Sequence, residues 1–462
     1  MRVLIRLLPL LAAGGILPTW AADDSASTST ATDTSTGTGK GMFTLEGTIT
    51  GKISDAATPT GTYQSLTSTV TLGTGHGTIV GSHTLTGTDA TVTATSNGTN
   101  ATSTSNSLTV LGGTQILNGT ANATMTASAS ASSSPVVNTQ PCNGYPEFCA
   151  RNYSNITVVA AHNSPFVKPG SVAANQALDV EDQLNDGIRM LQFQTHLVNN
   201  TMYLCHSSCE LLNVGTLEAY LTTVTKWMKA HPYDVVTILM GNADYVDPGN
   251  FTGPIQNSGL MDLVYTPTKI PMALDDWPTL SSMILSGKRA VMFLDYQANQ
   301  TAYPWLMDEF SQVWETPFSP TDRDFPCDVQ RPPNLAAADA KNRLYMANHN
   351  LNIEMDVLNL NLLIPNTALL NETNNVTGYG SLGLMAQNCT KIWNRPPTFL
   401  LVDYYNYGPV NGTVFEVAAQ MNNVTYNGKC CGVASAGMSL TPQSVMATAL
   451  MIGGIQLLVS LF

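Results

Sequence analysis

Residues 156–164 read ITVVAAHNS, an apolar run that stops at a histidine, an asparagine and a serine. The same arrangement, an apolar run followed by polar residues, recurs at 187–196, 202–206, 235–242 and 399–404. Continuous apolar runs of this length are typical of parallel strands that are buried on both faces. In α/β barrels the functional groups lie where such strands end. The pattern therefore predicts a parallel α/β barrel whose polar strand ends share one rim.

Helix-like segments separate these runs. Residues 173–185 and 215–231 have helical patterns, and further strand-like runs at 290–294 and 343–347 also end in polar residues. Strands that alternate with helices over about 270 residues fit one barrel better than two domains. The sequence thus predicts an α/β fold, a (β/α)8 TIM-type barrel, over residues 141–430.

The two ends of the chain carry targeting patterns. A basic start, a short apolar core and small residues predict a secretory signal peptide over residues 1–22. Residues 431–462 contain small residues, a polar spacer and an uncharged apolar tail. This order predicts a signal for attachment of glycosylphosphatidylinositol (GPI), with Ser435 as the first candidate site and Gly432 and Gly437 as alternatives. A membrane-spanning tail is the competing interpretation, but such tails usually keep flanking charges.

Residues 23–140 differ in composition from the rest of the chain. Ser, Thr, Gly and Ala dominate this region, and aromatic and charged residues are rare. Segments 67–72 and 90–95 alternate weakly and are compatible with short strands. Because little apolar area is available to offset the entropy of ordering, we expect an extended, O-glycosylated stalk.

Cysteines, glycosylation sites and charge agree with secretion. The chain has fourteen Asn-x-Ser/Thr sites and eight cysteines, an even number that implies disulfides in an oxidising compartment. Plausible pairs are Cys142/Cys149, Cys205/Cys209 and Cys327/Cys389. Cys430 and Cys431 are adjacent, which leaves the connectivity open. The formal charge of −13 argues against a nucleic-acid partner.

Several motifs together resemble the phosphatidylinositol-specific phospholipase C superfamily. His162-Asn163-Ser164 is similar to its first catalytic histidine segment, and Asp403-Tyr404 is similar to a late segment of its bacterial members. The stretches QFQTH at 192–196, LCHSSC at 204–209 and WETPF at 314–318 resemble the fungal, GPI-anchored, phospholipase-C-like phosphodiesterases more closely. The resemblance covers residues 141–430 and implies a barrel of the phospholipase-C-like phosphodiesterase kind.

The resemblance implies a catalytic set of His162, His206 and Asp403. His162 would take a proton from a hydroxyl beside the phosphodiester, His206 would protonate the leaving oxygen, and Asp403 would orient or stabilise a histidine. Histidine suits both proton transfers because its ordinary pKa is about 6.5. Asp295 and Asp244 are the alternatives to Asp403, and His196 is a further candidate for the barrel mouth.

Two positions depart from the pattern of the superfamily. Calcium-dependent members have carboxylates where this chain has Gln192 and Gln194, and metal-independent bacterial members have an arginine in place of Gln194. Calcium sites are built largely from carboxylates, so we expect no metal and no other cofactor. Amide groups are expected to bind the phosphate instead, with a histidine in support. The substrate-binding candidates are Asn163, Gln192, Gln194, Asn242 and His349.

Three functions follow as alternatives. The leading one is a phosphoric diester hydrolase at the cell surface, secreted and held by a GPI anchor at the plasma membrane or cell wall, that acts on a lipid-head-group or inositol-type phosphodiester. The second is a catalytically weak or inactive barrel that binds a wall glycan or a phosphorylated sugar. The third is a structural wall protein in which the stalk is the important part. Lost charge at Gln192 and Gln194 favours binding without turnover, whereas His162, His206 and Asp403 favour an enzyme.

Overall fold

The computed structural model describes residues 63–64, 69–71, 138–357, 360–428 and 430–431. The predicted signal peptide, nearly all of the predicted stalk and the predicted attachment sites for a GPI anchor lie outside these residues. Within them, no helix combines the length and apolar character needed to cross a membrane.

Eight parallel strands form the central sheet. In chain order they are β2 (Val158–Ala161), β3 (Met190–Val198), β6 (Val236–Asn242), β8 (Ala290–Leu294), β9 (Leu306–Asp308), β10 (Val313–Glu315), β11 (Leu344–Asn348) and β14 (Phe399–Val402). Their order across the sheet is β10-β11-β14-β2-β3-β6-β8-β9. The predicted α/β barrel is confirmed, with one departure. The edge strands β9 and β10 do not pair, and the short helix α5 (Glu309–Gln312) lies between them in the chain.

Helices and short strands complete the described part of the chain. The other helices are α1 (Val180–Asp186), α2 (Leu217–Ala230), α3 (Gly249–Asn257), α4 (Leu280–Leu285), α6 (Ala337–Lys341), α7 (Leu370–Thr373), α8 (Leu382–Trp393) and α9 (Thr413–Met421). The other strands are β1 (Val70–Thr71), β4 (Thr201–Cys205), β5 (Asn213–Thr216), β7 (Lys269–Ile270), β12 (Asn352–Val357) and β13 (Leu360–Pro365). Thr216 caps α2 by accepting a hydrogen bond from the Ala219 N–H, and the helix lies within the predicted segment 215–231.

Side chains alternate between two apolar clusters along each barrel strand. Ala160, Met190, Leu239, Met346 and Leu401 belong to the cluster inside the barrel. Their chain neighbours on the opposite face pack in the larger cluster beneath the helices: Val159, Ala161, Leu191, Ile238, Met240, Ala347, Leu400 and Val402. Because successive side chains of a strand point to opposite faces, this alternation determines which strand-end residues face the barrel mouth.

Strands β4 and β5 extend the sheet at one rim. Strand β3 continues beyond the barrel and pairs antiparallel with β4, which pairs with β5. The disulfide Cys205–Cys209 closes the loop after β4. The other disulfides are Cys142–Cys149, Cys327–Cys389 and Cys430–Cys431, so the three plausible pairs agree with the structure and the open pairing is between neighbours.

Residues 63–64 and 70–71 of the predicted stalk contact the barrel. The Tyr63 ring meets the Phe310 ring edge-on, with centroids 4.8 Å apart, and the Gln64 amide donates a hydrogen bond to the Ala298 carbonyl. Strand β1 pairs antiparallel with β7. Since Phe310 lies in α5, Tyr63 covers the place where the strand pairing of the barrel is open.

Candidate active site

Strand register brings His162 and Asp403 together. Ala161 pairs with Val402 in the adjacent parallel strands β2 and β14, so the next residue of each strand lies at the same level. Both side chains point to the barrel mouth, because Ala161 and Val402 face the helices. The Nδ1 atom of His162 lies 2.7 Å from Oδ1 of Asp403, whose side chain is 3% exposed. This contact assigns Asp403, rather than Asp295 or Asp244, as the partner of His162.

Asn175 and Gln176 hold this pair in place. The Asn175 amide donates to Oδ1 of Asp403 at 2.9 Å, and the backbone carbonyl of Asn175 accepts from the Tyr404 N–H at 2.8 Å. The Gln176 amide donates to the carbonyls of His162 and Val402. Neither residue was singled out from the sequence, because both lie in the loop before α1, where no motif marks them.

His206 approaches the same cavity from the neighbouring hairpin. Its backbone N–H donates to the Leu212 carbonyl, and its ring meets the edge of Phe166 with centroids 5.3 Å apart. The disulfide Cys205–Cys209 spans the residue, which fixes the position of the ring. Burial of the ring and the charge of His162 lower the pKa of His206 to about 4, an effect that Asp403 opposes. The His206 ring therefore lies close enough to His162 and Asp403 for both to act on its pKa.

Three amide side chains line the wall beside the histidines. The Gln192 Oε1 atom accepts from the Asn163 N–H at 2.9 Å, and the Asn163 amide donates to Asn175 at 3.2 Å. Gln194 lies against Gly241 on the neighbouring strand, and a Cβ atom at position 241 would collide with the Gln194 amide. The sequence therefore keeps room for this side chain on the inner face.

The amide wall does not suit a calcium ion. Its donors are neutral, Gln192 Oε1 already accepts a backbone hydrogen bond, and Asn163 Oδ1 is the oxygen of this wall that is buried without a partner. Calcium takes six to eight oxygen ligands, of which carboxylates supply most of the charge. We therefore derive no chemical step through calcium, and the expectation that the reaction needs no metal stays a prediction.

Charged residues line the opposite wall of the cavity. Arg331 forms an ion pair with Glu315 at 3.0 Å and donates to the Tyr296 hydroxyl at 2.9 Å. Asp295 accepts the N–H groups of Asn242 and Tyr296, both at 2.7 Å, and burial raises the pKa of its carboxyl to about 6. Glu315 ends an apolar run in the sequence, which is a usable signal, whereas Arg331 lies in a proline-rich loop that offers none.

Together these residues enclose a cavity of about 580 Å³ at the carboxyl ends of the strands. Five of the sequence-predicted site residues line it: His162, His206, Asn163, Gln192 and Gln194. Asp403 lies directly behind His162. The structure thus brings the predicted catalytic residues and three of the predicted binding residues to one place.

Asn242 and His349 are corrections, because neither lines this cavity. The Asn242 side chain makes hydrogen bonds to backbone groups of Val246 and Tyr296, and these bonds stabilise a loop. The His349 ring is buried, its Nε2 atom lies 3.0 Å from the Thr373 carbonyl, and burial lowers its pKa to about 3. Asn242 follows Gly241 and His349 follows Asn348, and both preceding positions face into the barrel. Because side chains alternate along a strand, Asn242 and His349 point away from the mouth.

Comparisons with known proteins agree with this geometry. The PI-PLC X family model matches residues 148–422. An uncharacterized secreted protein of Arthroderma benhamiae is 67% identical over 309 residues, which cover 67% of this chain and 69% of that protein. PI-PLC X domain-containing protein 1 of the same fungus is 39% identical over 279 residues, covering 60% and 88%.

A solved structure is also similar. Phosphatidylinositol-specific phospholipase C from Listeria monocytogenes has a TM-score of 0.40 and 15% identity, covering 58% of this chain and 93% of that one. The family match spans more than half of the chain and contains the histidine pair, the amide wall and Asp403. The chain belongs to the PI-PLC X family of phosphodiesterase-type barrels.

Proposed function

We propose that this protein is a phosphoric diester hydrolase that uses His162 and His206 as general base and general acid on a lipid-head-group or inositol-type phosphodiester. The observation that carries the proposal is the His162–Asp403 pair, at 2.7 Å, in one cavity with His206. Family membership supports a phosphodiesterase-type reaction, and the local geometry supports the assignment of roles.

In the proposed first step, Nε2 of His162 takes a proton from a substrate hydroxyl near phosphorus. Asp403 accepts the Nδ1–H and stabilises the ring once it is positive. The hydroxyl oxygen bonds to phosphorus, the bond to the leaving oxygen breaks, and His206 donates a proton to that oxygen. A cyclic phosphate results, and water opens it with the two histidines in exchanged roles.

The low pKa of His206 has a consequence for this step. At pH 7 the ring is neutral in the free protein, because its pKa is about 4. A bound phosphodiester carries a negative charge, which favours the protonated form of a nearby histidine. We infer that substrate binding raises the pKa of His206, so that its ring is protonated and can act as the general acid in the complex.

Targeting patterns extend the proposal to location. The relative that is 67% identical is named as a secreted protein, and secretion of this chain is consistent with its N-terminal pattern and its disulfides. We propose that the chain is secreted and is held at the cell surface by a GPI anchor in the plasma membrane or cell wall. A membrane would then present the substrate near the cavity.

One observation favours a second function. Gln192 and Gln194 are neutral where members of the superfamily carry a metal or an arginine, and removal of one electrostatic stabiliser commonly costs a factor of about 10²–10³ in rate. A barrel that binds a wall glycan or phosphorylated sugar without turnover is the alternative.

A product analysis separates the two functions. Purified mature protein is incubated with a panel of phosphodiesters, with and without EDTA, and cyclic and open products are followed by phosphorus NMR. The proposal expects product from at least one diester and none from His162→Ala. His231→Ala is the matched control, because His231 stacks on Trp227 at the end of α2, away from the cavity. Wild type and His162→Ala that bind a diester alike, with no product from either, would establish the binding function.

A further inference from the structure

A second histidine–aspartate pair stands at the rim of the same cavity. The Nδ1 atom of His196 lies 2.8 Å from Oδ1 of Asp244, and Oδ2 of Asp244 accepts the Leu197 N–H at 2.7 Å. The carboxylate is therefore held by two contacts and fixes the orientation of the ring. The arrangement repeats that of His162 and Asp403 on different strands.

The position of His196 follows from the alternation along β3. Gln192, Gln194 and His196 are spaced two residues apart and all line the cavity. The Nε2 atom of His196 is buried and has no hydrogen-bond partner among the described residues. A buried polar atom without a partner is costly, so an unoccupied ring nitrogen in a cavity wall suggests a partner that arrives with a ligand.

Among the described residues that line the cavity, no Lys or Arg side chain is free to meet a phosphate. Arg331 lines the opposite wall, but its guanidinium is paired with Glu315 and bonded to Tyr296. Gln192 and Gln194 offer amides without charge. Stabilisation of the negative charge that develops on phosphate oxygens is commonly a large part of phosphoryl-transfer catalysis.

We propose that His196 is a further catalytic residue, whose protonated ring donates the Nε2–H to a non-bridging phosphate oxygen, and that Asp244 is its positioning residue. The Nδ1–H of His196 donates to Asp244, and that carboxylate compensates the positive ring. No bond to phosphorus or carbon forms at His196, and its proton stays on the ring. This inference rests on the proposed function, because it assigns a role within the same phosphodiester site.

Phosphate binding tests the contact without turnover. Inorganic phosphate is titrated at pH 6 into wild type, His196→Leu and Asp244→Asn, and the dissociation constant is measured by calorimetry. We expect His196→Leu to weaken phosphate binding about 10- to 100-fold, the range for a hydrogen bond to a charged group. Asp244→Asn keeps an acceptor for the ring but loses its charge, and we expect a smaller loss of affinity. His231→Leu is the matched control and keeps the wild-type affinity.

Turnover separates this inference from the proposed function. On a diester that wild type hydrolyses, His196→Leu lowers kcat by a factor of about 10²–10³ with a folded, cooperative melting transition. A variant that melts earlier but keeps both phosphate affinity and kcat would show that the pair only braces the hairpin, and it would overturn the inference.

Two further outcomes test the role of His196. If wild type hydrolyses no diester but His196→Leu still weakens phosphate binding, the contact between His196 and phosphate is supported. The proposed hydrolase function, and with it a catalytic role for His196, then fails. If wild type itself binds no phosphate, the role of His196 is refuted whatever the turnover.

Discussion

The pKa of His206 offers a sharp test of the electrostatics of the site. Burial of the ring and the charge of His162 lower this pKa from 6.5 to about 4. At 1.36 kcal/mol per pKa unit, this difference favours the neutral ring by about 3 kcal/mol. Burial is the first cause and the charge of His162 the second, so removal of His162 restores only part of the difference.

We therefore expect His162→Gln to raise the pKa of His206 above about 4 but to leave it below 6.5, because burial of the ring remains. The measurement is a pH titration of labelled histidine rings by NMR, in which loss of one signal in His206→Ala assigns the resonance. His231→Gln is the control and leaves the titration of His206 unchanged. A wild-type His206 that titrates near 6.5 would show that burial does not lower its pKa, and an equal value in His162→Gln would show that His162 does not act on it.

The same pKa has a consequence for stability. Because the folded protein binds the His206 proton more weakly than the unfolded chain does, His206 has no effect on stability above about pH 6.5. As the pH falls from 6.5 to about 4, only the unfolded state gains the proton, and the free energy of unfolding decreases by up to about 3 kcal/mol. His349, with a pKa lowered to about 3 by burial, acts in the same direction.

Other predictions concern the metal, the C-terminus and the N-terminal segment. Because Gln192 and Gln194 replace carboxylates, any hydrolysis of a phosphodiester survives EDTA, and activity that returns only with added Ca²⁺ would contradict the account. We expect the surface form to lack the C-terminal tail and to be released from cells by an enzyme that cleaves GPI. Mass spectrometry that detects Phe462 on this form would exclude the anchor. Tyr63→Ala removes the edge-on contact with Phe310 and lowers the free energy of unfolding by about 1 kcal/mol, measured by denaturant titration; unchanged stability would show that the segment does not pack on the barrel in solution.

The apolar runs made the barrel fold and the position of the site, at the ends of the strands, predictable from the sequence. Every run that ends in polar residues became a parallel strand of the barrel except 202–206, which forms β4 and pairs antiparallel with β3. The parallel strands β2 and β14 placed His162 and Asp403 at one rim. The contact between them depends on the pairing of β2 with β14, strands that are about 240 residues apart in the chain. Only the strand order of the sheet reveals this pairing, so the sequence leaves Asp295 and Asp244 as alternatives.

Asn242 and His349 show where strand-end reasoning fails. A polar residue after an apolar run is correctly placed at the rim, but its side chain faces inward at every second position only. Asn348 and Asn350 line the cavity, and His349 between them turns outward. The spacing of Gln192, Gln194 and His196 on β3 indicates which alternate positions of a strand face the cavity.

Loop residues of the site had no signal in the sequence. Asn175 reaches Asp403 from the loop before α1, and Arg331 comes from the long connection after β10. Asn175 and Arg331 reach the site because of the path that their loops take over the barrel mouth. A periodic sequence pattern does not predict the path of a loop.

We propose that His162 and His206 act together as base and acid on a phosphodiester. The most direct measurement is the hydrolysis rate, by phosphorus NMR, of wild type, His162→Ala, His206→Ala and the double variant. We expect each single change to lower the rate by a factor of about 10²–10⁴ in a folded protein, and the double variant to lose little more than the worse single one, since the two rings serve one reaction. Single variants that keep the wild-type rate would contradict the account.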